Sequence, residues 1–178
     1  NAPQSFIIKP TTVPLKNANG VESFSFKRFD VGDGLSGNVT HCLAVDHSGN
    51  LWIGGLGGLD KYDGTSFTNF SIANGLGSLR ISRLLVDSGG TVWIGSWDGL
   101  YKYDGKHFST VIEPKKGQTE NSRIGIYHLM QGPDGSIWAG GSSGVDNSSF
   151  YCIKGDSIKH YGTKEGLPEA YIHGIASL

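Results

Sequence analysis

His41 and His173 each stand six residues after a leucine that follows a glycine, Gly34-Leu35 and Gly166-Leu167. Two imidazoles on matched strands facing one channel could share a metal ion or serve as acid and base near neutral pH. Ser82 holds the same place six after Leu76, so the plainer reading is a polar position that the repeated element keeps without chemistry. Trp97 stands where other copies of its segment have Leu56 and Ser142. An indole face can stack on a sugar ring or another flat ligand, or can simply pack. Arg80 and Arg123 fall near the starts of inner strands, where a guanidinium can meet a carboxylate or sulfate; a solvated surface role is the alternative. Asp98, Asp146 and Glu165 are hydrogen-bonding groups for the same rim. The candidate ligand-binding residues are therefore Trp97, Asp98, Arg80, Arg123, His41 and His173.

No catalytic set, metal site or cofactor-binding pattern emerges beside them. Gly55-Leu56-Gly57-Gly58 superficially resembles a phosphate loop but precedes a strand instead of opening a helix. Asp63-Gly64 and Asp104-Gly105 lack the further spaced carboxylates that a calcium loop needs. There is no nucleophile elbow and no Cys/His zinc spacing.

The elements that must position these residues are repeats. Asp46–Phe70 returns almost intact as Asp87–Val111 and, more loosely, around Trp138. Trp93 follows Trp52 by 41 residues, and Trp138 follows Trp93 by 45. Each copy holds short apolar runs between turn residues: 39–45, 51–53, 59–62 and 66–71 in the first, with Asp63-Gly64 marking a hairpin. Four antiparallel strands in so short a span cannot bury both faces of their sheet alone, so copies must stack. This size favours an all-β propeller of four-stranded antiparallel blades over a β-solenoid. The tryptophans are expected to pack between blades, with glycines allowing close approach.

The run Gly-Leu-Ser-Gly-Asn…Val-Asp-His-Ser-Gly-Asn-Leu-Trp-Ile-Gly…Gly-Leu-Asp-Lys-Tyr-Asp-Gly…Phe over 34–67 resembles the two-component regulator propeller repeat, and 26–38 resembles the entry to such sensor propellers. The likeness extends over roughly 24–178. It implies an extracytoplasmic, periplasmic or extracellular, sensor region of a bacterial signalling protein, often a hybrid histidine kinase responding to carbohydrate or other nutrients. The expected partner is a small-molecule or oligosaccharide ligand, and no catalysis is expected. A propeller lyase or hydrolase is the alternative; it would need His41, His173, Tyr127 or Glu165 to converge. A protein-interaction scaffold is a third reading, since fold alone does not separate these.

Domain boundaries follow from the repeat. Residues 1–20, with Pro3, Pro10 and Pro14, read as an extended arm in which Phe6-Ile7-Ile8 forms an edge strand. Residues 21–178 read as the propeller segment, with blades at 34–71, 75–112 and 121–162. Single strands flank them: 21–30, whose blade has its other strands elsewhere, and 170–178, the inner strand of another blade. The ring is then incomplete, and the expected partners include the rest of a propeller in a parent chain or other copies of this one.

Composition agrees. The 178 residues carry 28 Gly and 17% charged residues, which suits turn-rich β-structure and opposes disorder. A net charge of −1 argues against nucleic acid or an anionic membrane as a partner. No apolar run reaches the roughly 18 residues of a membrane span. Cys42 and Cys152 fall on different strands two blades apart, too far to bridge, and are expected as buried free thiols.

Overall fold

The computed structural model describes residues 4–7, 11–15, 24–113, 124–142, 149–168 and 174, with side chains from 27 onward. Its strands are β1 (Gln4–Ile7), β2 (Thr11–Leu15), β3 (Phe24–Arg28), β4 (Thr40–Val45), β5 (Leu51–Gly55), β6 (Leu59–Tyr62), β7 (Ser66–Phe70), β8 (Ile81–Val86), β9 (Val92–Ser96), β10 (Gly99–Tyr103), β11 (Phe108–Ile112), β12 (Gly125–Gln131), β13 (Ile137–Ser142), β14 (Ser149–Lys154) and β15 (Ser157–Tyr161). β4–β7, β8–β11 and β12–β15 are three antiparallel four-stranded meanders. These are propeller blades, not closed into a ring.

The turn between the first two strands of a blade shows how local sequence sets the strand. The Asp46 carboxylate accepts from the Ser48 N–H at 3.0 Å, the Asn50 N–H at 2.9 Å and the Trp52 Nε1–H at 3.0 Å. Asp87 repeats this with Gly89, Thr91 and Trp93, the indole bond being 2.7 Å. One carboxylate thus closes a turn and aims a tryptophan six residues away. Burial alone would raise the pKa of Asp46, but the bonds from Asn50 and Trp52 outweigh it and hold the carboxyl below its ordinary value. The third blade has Gly132 at this position. There the turn is closed by Asp134, which accepts from the Ser136 N–H and Oγ and from Lys154 Nζ.

Two cores lie between blades. Cys42, Trp52, Leu59 and Phe70 of the first blade meet Leu76, Ile81, Leu84, Val92, Ile94 and Tyr101 of the second. Trp93, Leu100 and Ile112 meet Ile126, Ile137, Ala139, Tyr151 and Ile153 of the third, with Ile124 just ahead of its first strand. Gly54 and Gly95 make this spacing possible. A Cβ on Gly54 would fall 2.5 Å from Ile81 Cγ2, and one on Gly95 would fall 2.9 Å from the Ile126 carbonyl. Both positions need glycine because the next blade's inner strand lies against them.

The N-terminal region contributes two strands, one of them at a sheet edge. β1 pairs with β7, Phe6 opposite Phe67, as a fifth strand on the first blade. β2 pairs with β3, Val13 opposite Phe26. The strand at 21–30 therefore finds a partner inside the stretch read as an extended arm with an edge strand at Phe6-Ile7-Ile8, in its second half, where Thr11-Thr12-Val13 supplies β-formers. Pro14 is tolerated because, among the described residues, β2 pairs with β3 alone, leaving a side on which no N–H is required. Beyond this pair Phe29 packs on Tyr62 and Phe67 with ring centroids 5.2 and 5.4 Å away. Phe70 packs on Tyr103 and Phe108 in the same way, at 5.5 Å each. The strand read at 170–178 lies outside the described residues apart from Gly174.

Both cysteines are free, Cys42 buried and Cys152 half-buried. Burial pushes the Cys42 thiol up to about 11, against a smaller opposing pull from Arg83. In the folded protein at pH 8 a chromogenic disulfide reagent is expected to modify Cys152 well before Cys42, whereas both react at once in denaturant. Equal rates in the folded state would contradict the packing of Cys42 in the first core.

Candidate functional site

Each inner strand carries a β-bulge, between Thr40 and Cys42, Ile81 and Arg83, and Ile126 and His128. The bulged residues are His41, Ser82 and Tyr127. A bulge re-aims the side chain it carries. Here it sends His41 and Ser82 across to the next blade: His41 Nδ1 lies 3.1 Å from the Ile81 carbonyl, and Ser82 Oγ donates to the Ile126 carbonyl. The matched spacing of His41 and Ser82 thus reflects a seam between blades. Tyr127 instead lies over Gly125, where a Cβ would fall 2.4 Å from its hydroxyl. Arg83 strengthens the second seam, its Nε donating to the Tyr127 carbonyl at 3.0 Å, with Nη2 3.4 Å from His128 Nδ1.

Beside the first seam the structure joins three of the sequence-predicted residues. The His41 ring is parallel to the Trp97 indole, at an angle of 4° and a centroid distance of 6.5 Å. The Arg80 guanidinium carbon lies 5.5 Å from the centre of the same indole. His41 comes from the first blade, Arg80 and Trp97 from the second. Trp97 is 39% exposed, and Val39, Leu56, Leu79 and Tyr127 are also exposed on these strand starts and loops. Comparison of the repeats singled out Trp97 of this apolar rim, but not Val39, Leu56 or Leu79, which hold no recurring residue type.

The backbone beneath Arg80 and Trp97 repeats faithfully. The Trp97 N–H donates to the Arg80 carbonyl at 3.1 Å, as the Leu56 N–H does to the Val39 carbonyl at 3.1 Å. The fold accepts Val and Leu at this bridge in one blade and Arg and Trp in the next. Neither a guanidinium nor an indole is therefore a demand of the architecture.

Asp98 has a loop-tying role. Its carboxylate accepts from Ser78 Oγ at 2.9 Å, and its own N–H donates to Ser96 Oγ. Asp60 does the equivalent work in the first blade and sequence reading passed over it. It is 3% exposed and accepts from the Ser36 N–H at 3.1 Å, Ser36 Oγ at 2.9 Å and Asn69 Nδ2 at 2.6 Å. Burial raises its pKa despite these bonds. The available signal was its departure from the repeat, Asp60 standing where the second blade has Tyr101.

Glu165 accepts from the Gly162 N–H at 2.7 Å in the turn after β15, and it lines a pocket of about 300 Å³ with Trp138, Phe150, Tyr161 and Leu167. His41, against the Ile81 carbonyl, and Glu165, against the Gly162 N–H, thus hold separate partners. Arg123, His173 and Asp146 lie outside the described residues. Among the described residues no group of three His, Cys, Asp or Glu side chains is placed to hold a metal, and no helix is long and apolar enough to cross a membrane.

Residues 34–57 match the family model described as two component regulator propeller. No curated protein matches. Among solved structures, the extracellular domain of the hybrid two component system BT3049 from B. thetaiotaomicron is 18% identical, with a TM-score of 0.66 over 91% of this chain and 24% of that one. The extracellular domain of BT4673 from the same organism is 19% identical, with a TM-score of 0.59 over 77% of this chain and 18% of that one. A catalytically inactive virginiamycin B lyase from Staphylococcus aureus, with quinupristin, is 16% identical, with a TM-score of 0.56 over 86% of this chain and 46% of that one. This chain spans about a quarter of the length of the first. At such identities the likeness is one of fold, and these extracellular domains share that fold with a lyase. The repeat seen in the sequence, the blades seen in the structure and the family match at 34–57 agree: the chain carries the two component regulator propeller repeat.

Proposed function

We propose that this chain is a non-catalytic, ligand-sensing propeller segment of a two-component-type signalling protein, on the periplasmic or extracellular side of a bacterial membrane, and that it binds a carbohydrate or other small nutrient at the rim between its first two blades. One observation carries the reading. His41, Arg80 and Trp97, drawn from two blades, meet at an exposed rim, and the backbone bridge that carries Arg80 and Trp97 in the second blade carries Val39 and Leu56 in the first. Asp98 and Ser78 brace the loop beneath. The extracellular two-component domains among the similar folds support the setting. Separate partners for His41 and Glu165 favour binding over a lyase or hydrolase, although the lyase fold is also similar.

The same proposal covers the two open blade faces. Leu43 and Val45 are 58% and 61% exposed on the first blade's far face, and Trp138, Phe150 and Tyr161 line the pocket on the third. Further blades of a parent chain suit these faces better than a stacked second copy. The copy's Tyr161 would occupy the place against Tyr62 and Phe67 that Phe29 already fills.

A thermal-shift screen against oligosaccharides tests the reading. We expect a stabilising ligand whose affinity drops at least about tenfold in Trp97→Ala, the scale of losing one stacked ring. Turnover of a bound sugar, lost in His41→Ala, would instead establish an enzyme.

A further inference from the structure

We infer that the open pocket on the third blade receives an aromatic hairpin: a tyrosine and a phenylalanine that are cross-strand neighbours in an adjoining blade of the parent chain. This rests on the reading that further blades cover the open faces, and adds the side chains by which such a blade is recognised.

Two seams show the pattern. Tyr62 stands opposite Phe67 across the β6–β7 hairpin, and Tyr103 opposite Phe108 across β10–β11. In each pair the rings touch, with centroids 4.9 and 4.6 Å apart. Each pair meets one ring that precedes its blade. Phe29 lies 5.2 and 5.4 Å from Tyr62 and Phe67, and Phe70 lies 5.5 Å from both Tyr103 and Phe108. Trp52 stacks on Phe70 and also reaches Tyr103, at 5.7 Å. The seam that departs from this pattern does so on both sides. The third blade has Ile153 opposite Ile158. The second blade meets it with Val111, which packs against the core that holds Ile153. Aromatic thus faces aromatic, and aliphatic faces aliphatic.

On its far face the third blade returns to the aromatic form. Tyr161 stands opposite Phe150 as Phe70 stands opposite Leu59. Trp138 stacks on Tyr161 at 26°, as Trp52 stacks on Phe70 at 20°. These rings line the pocket of about 300 Å³ with Leu167. A lysine marks the site further. Lys159, two residues before Tyr161, holds Nζ 4.7 Å from that ring centre. Lys27, two before Phe29, holds Nζ 4.6 Å from Phe29 and 3.4 Å from the Tyr62 hydroxyl. Thr68 holds this place before Phe70, so the fold does not require a cation there. Ring and lysine together repeat the arrangement that receives Tyr62. An incoming tyrosine would find Tyr161 to pack on and Lys159 beside its hydroxyl, contacts that an aliphatic pair cannot make.

Calorimetric titration of the whole chain with three backbone-cyclised peptides tests this. The first has the sequence of residues 99–112, which contains Tyr103 and Phe108. The second carries Tyr103→Ile and Phe108→Ile, the pair of the third blade, and the third Tyr103→Ala and Phe108→Ala. Cyclisation holds each as a hairpin, which an open two-stranded peptide does not maintain. We expect the first to bind at least about tenfold more tightly than the others, the scale of two ring–ring contacts. Tyr161→Leu in the chain should erase that preference, with unchanged thermal unfolding showing that the fold is intact. Equal or tighter binding of the isoleucine peptide, or a preference that survives Tyr161→Leu, overturns the inference and leaves the further-blade reading standing. If no peptide binds, both fall for this face. Sedimentation of the chain alone tests the remaining occupant: a dimer that the first peptide disperses would place a second copy in the pocket and overturn the inference.

Discussion

Trp52→Ala is expected to destabilise the chain by about 3–5 kcal/mol, the range for emptying a large aromatic from a core. Trp52 is 2% exposed. Its ring lies 5.6 Å from Phe70 in its own blade and 5.7 Å from Tyr103 in the next, with Lys61 Nζ 5.6 Å from its centre on the sheet face. Removing it opens a void at the seam of two sheets, each held in place by neighbouring strands and unable to collapse inward. Trp138 offers the contrast. It packs on Phe150 at 5.1 Å but is only half-buried beside the open pocket, and Gly132 provides no carboxylate for its indole. Trp138→Ala should therefore cost less than half as much. Urea unfolding of both variants measures the difference. Equal losses would mean that the interface between the first two blades is no better filled than the open face.

Asp60→Ala is expected to cost about 2–4 kcal/mol, because it strands the Ser36 N–H, Ser36 Oγ and Asn69 Nδ2 donors in a buried loop tie. Asp60→Asn should cost less, since it keeps the shape and one acceptor. The two also differ from the native protein in pH dependence. Burial, the largest influence on Asp60, raises its pKa in the folded state. The folded form thus binds the proton more tightly than the unfolded chain. The stability this adds is complete below the unfolded value of about 3.9 and is lost as pH rises through the folded one. Relative to Asp60→Asn, the native protein should therefore gain stability as pH is lowered toward that value. A gain in the opposite direction would show that the hydrogen bonds from Ser36 and Asn69 outweigh burial.

Much of the architecture is written in one dimension. Asp46 and Asp87, six residues before their tryptophans, close a turn and aim an indole by short-range bonds that involve nothing beyond the blade. Asp-Gly turns and alternating apolar runs set strands of matched length, and recurrence in register tells the reader that sheets must stack. Gly54 and Gly95 recur for the same cause, a neighbour's inner strand lying against them.

What the linear pattern could not disclose is which residues of different repeats meet. β2 and β3 pair because a strand edge takes whatever complementary edge lies near it, a choice that no period in the chain encodes. The bulges behave similarly. An extra residue in one strand turns His41 and Ser82 toward the following blade, so their shared spacing records a seam, in keeping with a polar position that the repeat preserves. The meeting of His41 with Trp97 and Arg80 depends on the offset between two blades, which packing of whole sheets sets. The sequence by itself therefore determined the blade, because its turns and strand alternation are local. Only the tertiary structure decided the rim, because its members lie up to 56 residues apart and are neighbours solely through the stacking of one sheet on the next.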